Sequence, residues 1–205
     1  MKLYISNSAF FSEADYNKYY DMMSDARKAD IDRKKFLASK RESVLGEMLA
    51  RRGISELIGI DESAIVFNRT ENGKPFAENA DVYFSISHSK DYVVCAVDDD
   101  EIGVDIEQIR KVEPRITSIS CTERDKEYIY GESELDVFTH DMIDRFFEVW
   151  TAKEAYLKCR GTGMIDVKTI SYEDIKPFCK KIEDSGYIIT IYSKQDFHGL
   201  KLKIV

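Results

Sequence analysis

Two carboxylates one residue apart, Asp105 and Glu107, stand in the run Ile102-Gly103-Val104-Asp105-Ile106-Glu107. As a strand, this run sends Ile102, Val104 and Ile106 to one face and sets Asp105 and Glu107 together on the other, their Cα atoms about 6.6 Å apart. Anions held so close repel unless a cation lies between them, and two carboxylates joined by substrate phosphate oxygens make a typical Mg²⁺ site. An acidic, solvent-facing strand edge is the other reading of the same pattern. Further along, Ile143, Phe146, Phe147, Trp150 and Leu157 recur at helical spacing, and Glu154 falls on that apolar stripe. A carboxylate facing the interior requires a cation or hydrogen-bond donor, since leaving it unpaired would cost several kcal/mol. Lys158, one turn on, shares its face, and Lys153 occupies the neighbouring flank. An ordinary Glu-to-Lys helix pair accounts for the same spacing.

A second group of donors lies in Ser85-Ile86-Ser87-His88-Ser89, where a histidine amid hydroxyls closes a strand and suits an anion. A structural hydrogen-bonding role for His88 is the alternative, and nothing pairs it with a serine and an aspartate in the manner of a hydrolase triad. Between Arg27 and Arg52, nine lysines and arginines stand against four acids, Asp30, Asp32, Glu42 and Glu47. Such a segment could meet phosphates or an acidic partner, or be a solvated helix face.

The elements that must position these residues follow from periodicity. A short strand is expected at Leu3 to Ser6, then helices from about Ser12 to Ala29 and Asp32 to Arg52, with Gly53 ending the second. Asn72-Gly73-Lys74-Pro75 reads as a turn. Val82 to Ser87, Tyr92 to Val97 and Ile102 to Glu107 read as an antiparallel meander. Asp141 to Cys159 reads as a helix stopped by Gly161-Thr162-Gly163, followed by strands at Ile170 to Tyr172, Gly186 to Tyr192 and Leu200 to Val205. This order predicts an α+β fold and hints at two similar halves.

Composition bounds the function. A chain of 205 residues, 43% hydrophobic and 33% charged, is long enough to bury a core without staples. Its net charge of −8 argues against general nucleic-acid binding. No apolar run reaches membrane-spanning length and no signal peptide is read at the N-terminus, so a cytoplasmic protein with no membrane partner is expected. The four cysteines are widely spaced and fit reduced, mostly buried thiols.

Taken in order, Gly73-Lys74-Pro75, Phe84-Ser85-Ile86-Ser87-His88-Ser89, Gly103-Val104-Asp105-Ile106-Glu107 and Phe147-Glu148-Val149-Trp150-Thr151-Ala152-Lys153-Glu154-Ala155-Tyr156-Leu157-Lys158 resemble the surfactin-synthetase-activating type of 4′-phosphopantetheinyl transferase, with Ser43-Val44-Leu45-Gly46 in support. The resemblance covers the chain from about Arg27 to Gly163. It implies a pseudo-two-fold pair of α+β halves, each a small antiparallel sheet packed with a long helix. The halves would be 1–103 and 104–205, one continuous unit with the site in the cleft between them, and a monomer.

The implied reaction moves the phosphopantetheine arm of coenzyme A onto a serine of an apo acyl or peptidyl carrier protein, releasing 3′,5′-ADP, with Mg²⁺ as cofactor. Asp105, Glu107 and Glu154 would hold the metal. Glu154 or a metal-bound water would take the serine proton, and Lys158 would contact the pyrophosphate. His88, Arg27 and Ser43 would take the 3′-phosphate, Lys74, Pro75 and Ser87 would border the adenine, and Lys153 would add a further cofactor contact. Asp30 stands where relatives often carry a second basic residue, and Ser120-Cys121 replaces the aromatics usual before Glu123, often a functional glutamate in the family. The basic segment from Arg27 to Arg52 would face the acidic surface around the carrier serine.

Overall fold

The computed structural model describes residues 1–131 and 137–205. Strand β1 (Lys2–Asn7) is followed by helices α1 (Glu13–Asp21), α2 (Asp25–Asp32) and α3 (Leu37–Ile58), then by strands β2 (Phe67–Arg69), β3 (Pro75–Ala77), β4 (Tyr83–Ser89), β5 (Tyr92–Asp98) and β6 (Ile102–Gln108). Helices α4 (Ile116–Ser120), α5 (Glu123–Tyr130), α6 (His140–Arg160) and α7 (Tyr172–Ile175) come next, and β7 (Cys179–Asp184), β8 (Tyr187–Ser193) and β9 (Lys201–Ile204) close the chain. The fold is α+β. One sheet runs β4-β5-β1-β9, a second β6-β8-β7, and β2-β3 form a hairpin about the Asn72-Gly73 turn, where Gly73 has φ +84°.

Local chemistry sets several boundaries that differ from expectation. The region from Ser12 to Ala29 is two helices because each has its own serine cap, Ser12 accepting from the Asp15 amide and Ser24 from the Arg27 amide. Helix α3 does not end at Gly53. It runs to Ile58, and Gly59 caps it in the left-handed region at φ +75°. Gly53 serves close approach instead, since a Cβ there would run into Val97, and Gly46 lies likewise against Ile86. Glycine inside a helix costs about 1 kcal/mol relative to alanine, a cost set against seating α3 directly on the sheet.

The expected meander stops after β5. Strand β6 leaves the first sheet and pairs antiparallel with β8, from Ile102 opposite Ser193 to Gln108 opposite Tyr187. Residues 170–172 are not a strand: Tyr172 begins α7, with its amide donating to Asp125 Oδ1 at 2.8 Å. Strand β7 was not expected, because Lys180, Lys181, Glu183 and Asp184 make it read as a solvated segment. Nor does the division at 103/104 keep each sheet to one segment, since β9 joins the first sheet in parallel with β1.

Three apolar clusters hold the layers. Helix α3 buries Val44, Leu45, Leu49 and Ile54 against Tyr4, Val93, Cys95 and Val97. Helix α6 buries Phe147, Ala152 and Ala155 against Ile188 and Tyr192. Between the sheets, Leu3, Val94 and Ala96 meet Val104, Ile106, Ile189 and Ile191. Each such side chain stabilises the fold by about 1.5–3 kcal/mol when fully buried. Where β4 meets β6, no backbone ladder forms, and serines join them instead. Ser85 Oγ accepts from the Val104 amide at 3.0 Å and Ser89 Oγ from the Gln108 amide at 3.1 Å. No described helix is long and apolar enough to cross a membrane.

Candidate active site

Strand alternation on β6 turns Asp105 and Glu107 away from the apolar face formed by Val104 and Ile106. Gly103 then decides what reaches them. A Cβ at this position would run into the Ala155 carbonyl oxygen, so only glycine lets α6 settle on β6 at this depth. With α6 seated there, Lys158 Nζ lies 2.6 Å from Asp105 Oδ1 and 2.7 Å from Ser87 Oγ, and the Ser87 hydroxyl donates to the same Asp105 oxygen at 2.7 Å. The other oxygen, Asp105 Oδ2, is buried with no hydrogen-bond partner.

Glu107 is held at both oxygens, by Ser89 Oγ on Oε2 at 3.2 Å and by Trp150 Nε1 on Oε1 at 3.3 Å. Burial, reinforced by the Asp105 charge, raises the Glu107 carboxyl above its usual range. Glu154 is pushed up to about 7, first by burial and then by Asp105, with Lys158 pulling the other way.

Glu154 and Lys158 line a cleft of about 290 Å³ together with Lys74, Pro75, Phe84 and Leu157, while Asp105 and Glu107 are not among its lining residues and Asp105 is joined to it through Lys158. Lys74 spans it from the hairpin, donating from Nζ to the Cys159 carbonyl at 2.5 Å, where the helix dipole of α6 favours a cation. Burial holds the Lys74 ammonium below the usual lysine range. Pro75, Phe84 and Ile86 form a wall shared with a second cavity of about 400 Å³, into which Arg27 and Arg69 project. Arg27 rests on Glu47 and on the Ser43 carbonyl, each at 3.4 Å. Burial, and next the charge of Arg27, lowers the Arg69 pKa. The acids Asp30 and Glu47 line the same cavity and act on Arg69 in the opposite sense.

The remaining residues read from the sequence lie elsewhere. Ser43 spends its hydroxyl on the Ser39 carbonyl within α3. His88 lines neither cavity; its side chain is 57% exposed and its Nδ1 lies 3.7 Å from Glu42 Oε2. Glu123, in the first turn of α5, is exposed and pairs with Lys126.

Lys153 corrects the expectation of a cofactor contact. It is fully buried, donating to Asp125 Oδ2 at 2.7 Å and to the Ser120 carbonyl at 2.8 Å. Burial alone would raise the Asp125 pKa, but its bonds from Lys153 and the Tyr172 and Thr122 amides outweigh this and hold it low. The pair ties α6 to α5 and α7, and breaking it would cost about 3–5 kcal/mol. Arg69 was not anticipated, nor were Ser89 and the Trp150 indole as donors to Glu107. An arginine three residues before an Asn-Gly turn reads as solvated, and cross-sheet hydrogen bonds leave no periodic trace.

Among the described residues, no three His, Cys, Asp or Glu side chains are drawn as close together as a bound metal requires. The donor set nevertheless fits a hard cation. Asp105 carries a buried oxygen without a partner, and the Asp105 charge raises both Glu107 and Glu154. A divalent ion relieves both conditions.

Comparison with known proteins converges on one family. Residues 101–198 match the model of the 4′-phosphopantetheinyl transferase superfamily, and residues 11–100 match that of the 4′-phosphopantetheinyl transferase N-terminal region. The chain is 35% identical over 162 residues to 4′-phosphopantetheinyl transferase gsp of Aneurinibacillus migulanus, covering 78% of this chain and 65% of that protein. It is 31% identical over 169 residues to 4′-phosphopantetheinyl transferase psf-1 of Bacillus pumilus, covering 80% and 66%. Against 4′-phosphopantetheinyl transferase Sfp of Bacillus subtilis (strain 168) it is 28% identical over 169 residues, covering 80% and 72%. The matched region thus spans just under two thirds of the first two relatives. The chain belongs to the 4′-phosphopantetheinyl transferase superfamily.

Proposed function

We propose that this protein transfers the 4′-phosphopantetheine group of coenzyme A to a serine of an apo carrier protein. The observation that carries this reading is the shared wall of Pro75, Phe84 and Ile86. On one side lie Glu154 and Lys158, the latter bonded to Asp105, and on the other the guanidiniums of Arg27 and Arg69. A ligand with a pyrophosphate at one end and a separate phosphate at the other matches that division. The 3′-phosphate sits with Arg27 and Arg69, and Lys74 and Pro75 border the adenine between. His88 would join the 3′-phosphate only by leaving Glu42.

In the reaction, the carrier serine oxygen forms a bond to the β-phosphorus as the bond from that phosphorus to the bridging oxygen breaks, and 3′,5′-ADP departs. Asp105, Glu107 and Glu154 would hold Mg²⁺, which when bound neutralises charge on the pyrophosphate oxygens. Lys158, already poised on Asp105 and Ser87, offsets the negative charge that grows on the phosphoryl oxygens. The serine proton would pass to Glu154 or to a metal-bound water.

Much of the basic segment is engaged internally. Arg27 and Arg51 bind Glu47, and Arg41 binds the Ser8 and Phe11 carbonyls. Lys35, Phe36 and Leu37 remain exposed for an acidic carrier. Four free thiols suit action in the reducing cytosol.

Intact-protein mass spectrometry of apo carrier proteins incubated with this protein, coenzyme A and Mg²⁺, with an EDTA control, tests the reading. A metal-dependent gain of one phosphopantetheine mass is the expected result. Release of 3′,5′-ADP with unmodified carriers would replace it with a pyrophosphate hydrolase, and coenzyme A binding without either product would leave only a binding module.

A further inference from the structure

Glu107 differs from its neighbour Asp105 in how it is held. Asp105 Oδ1 takes a charged donor, Lys158, together with Ser87, whereas Glu107 takes only neutral ones. The two donors come from a strand and a helix of different layers. Ser89 ends β4 of the first sheet, and Trp150 lies in the middle of α6. Each takes one oxygen, and each is itself anchored: Ser89 Oγ by the Gln108 amide at 3.1 Å, the Trp150 ring by stacking on Phe146 at 6.3 Å between centroids and 19° between planes. A carboxylate offers about four lone-pair positions. Two neutral donors use one on each oxygen, fix the orientation of the group, leave its charge intact and keep a lone pair free on each oxygen.

Resting on the reading of Asp105, Glu107 and Glu154 as cation ligands, we propose that Ser89 and Trp150 are positioning residues that aim the Glu107 carboxylate at the bound cation. They touch neither substrate nor metal, and act through Glu107 alone. Outer partners of metal ligands commonly change metal affinity by about 10–100-fold when removed.

Trp150 is the chain's single tryptophan, so its indole N–H gives one isolated resonance. The test uses Ser89→Ala, Trp150→Phe and the conservative Ser89→Thr, with Mn²⁺ alone as probe. Free Mn²⁺ is counted by electron paramagnetic resonance, thermal melting is followed in parallel, and the wild-type indole ¹H–¹⁵N resonance is followed during a Mg²⁺ titration. Ser89→Ala and Trp150→Phe are each expected to weaken Mn²⁺ binding about tenfold, and Ser89→Thr to restore it within about twofold because it keeps the hydroxyl. The indole resonance should move as Mg²⁺ binds. Unchanged Mn²⁺ affinity in both deletions, with or without a lower melting temperature, overturns the positioning role and leaves the metal-site reading standing. Equal weakening in Ser89→Thr and Ser89→Ala also overturns it, since the hydroxyl would then be irrelevant. A wild-type chain that binds no Mn²⁺ sinks both this proposal and the metal-site reading beneath it.

Discussion

Helices α3 and α6 are of nearly equal length, 22 and 21 residues, and each lies on one sheet, yet they handle charge in opposite ways. Helix α3 buries both members of its own ion pair, Glu47 and Arg51, and Glu47 also takes Arg27, which with Arg69 faces an open cavity. Helix α6 buries a base: Lys153 is sealed against Asp125, while Glu154 and Lys158 turn to the cleft beside Asp105. In both, the buried pair fixes how the helix sits and the opposite charge is left to work at the surface. Under the proposed function, a ligand with phosphates at two places would meet Arg27 and Arg69 on the α3 side. On the α6 side it meets carboxylates, which accept a phosphate only through a shared cation or a lysine.

The sharpest way to break this comparison is Asp105→Ala. It should slow carrier modification by about a thousandfold with an unchanged circular dichroism spectrum, read as the initial rate of mass gain. A variant of near-normal rate would remove Asp105 from the working surface of the α6 side. On the α3 side, Arg69→Ala should raise KM for coenzyme A by about tenfold with kcat nearly unchanged. Replacing coenzyme A by its 3′-dephospho form should bring wild type and variant to the same KM. If the variant still binds the dephospho form more weakly, Arg69 acts elsewhere on the nucleotide.

The smallest effect concerns stability. In metal-free protein the Glu154 carboxyl sits at about 7 against a reference of 4.5, so between those values the folded state binds more protons than the unfolded one. Stability therefore falls as pH rises through that window. Glu154→Gln removes the titration, so its melting temperature should match wild type near pH 5 and exceed it by about 2–4 °C at pH 8. Parallel melting curves at both pH values would show that Glu154 is not held in a desolvated, anionic setting.

What could be read from the sequence was whatever obeys a period. A strand period of two set Asp105 beside Glu107, and a helical period set Glu154 and Lys158 on one face; in the structure Glu154 and Lys158 line the cleft and Lys158 bonds Asp105. Features that depend on what lies opposite left no such mark. Gly53 looked like a helix stop, when its missing side chain makes room for Val97. Lys153 looked like a second active-site cation, because nothing in the local sequence announces Asp125 across the core. The serines of β4 read as an anion cluster, whereas Ser85 and Ser89 are engaged by amides of β6 and Ser87 by Asp105 and Lys158.

That arrangement of serines also bears on which strand edges are open to another chain. A sheet's outermost strand presents unpaired amides and carbonyls that invite another chain to add a strand. Strands β7 and β9 carry lysines along their lengths, Lys180 and Lys181 on one and Lys201 and Lys203 on the other, which discourage such addition. Strand β6 has no lysine and is rich in isoleucine and valine, and its protection comes from the hydroxyls of a neighbouring sheet covering the Val104 and Gln108 amides. Opening that joint would bare an apolar strand edge, making self-association the first consequence of a loosened junction between the sheets.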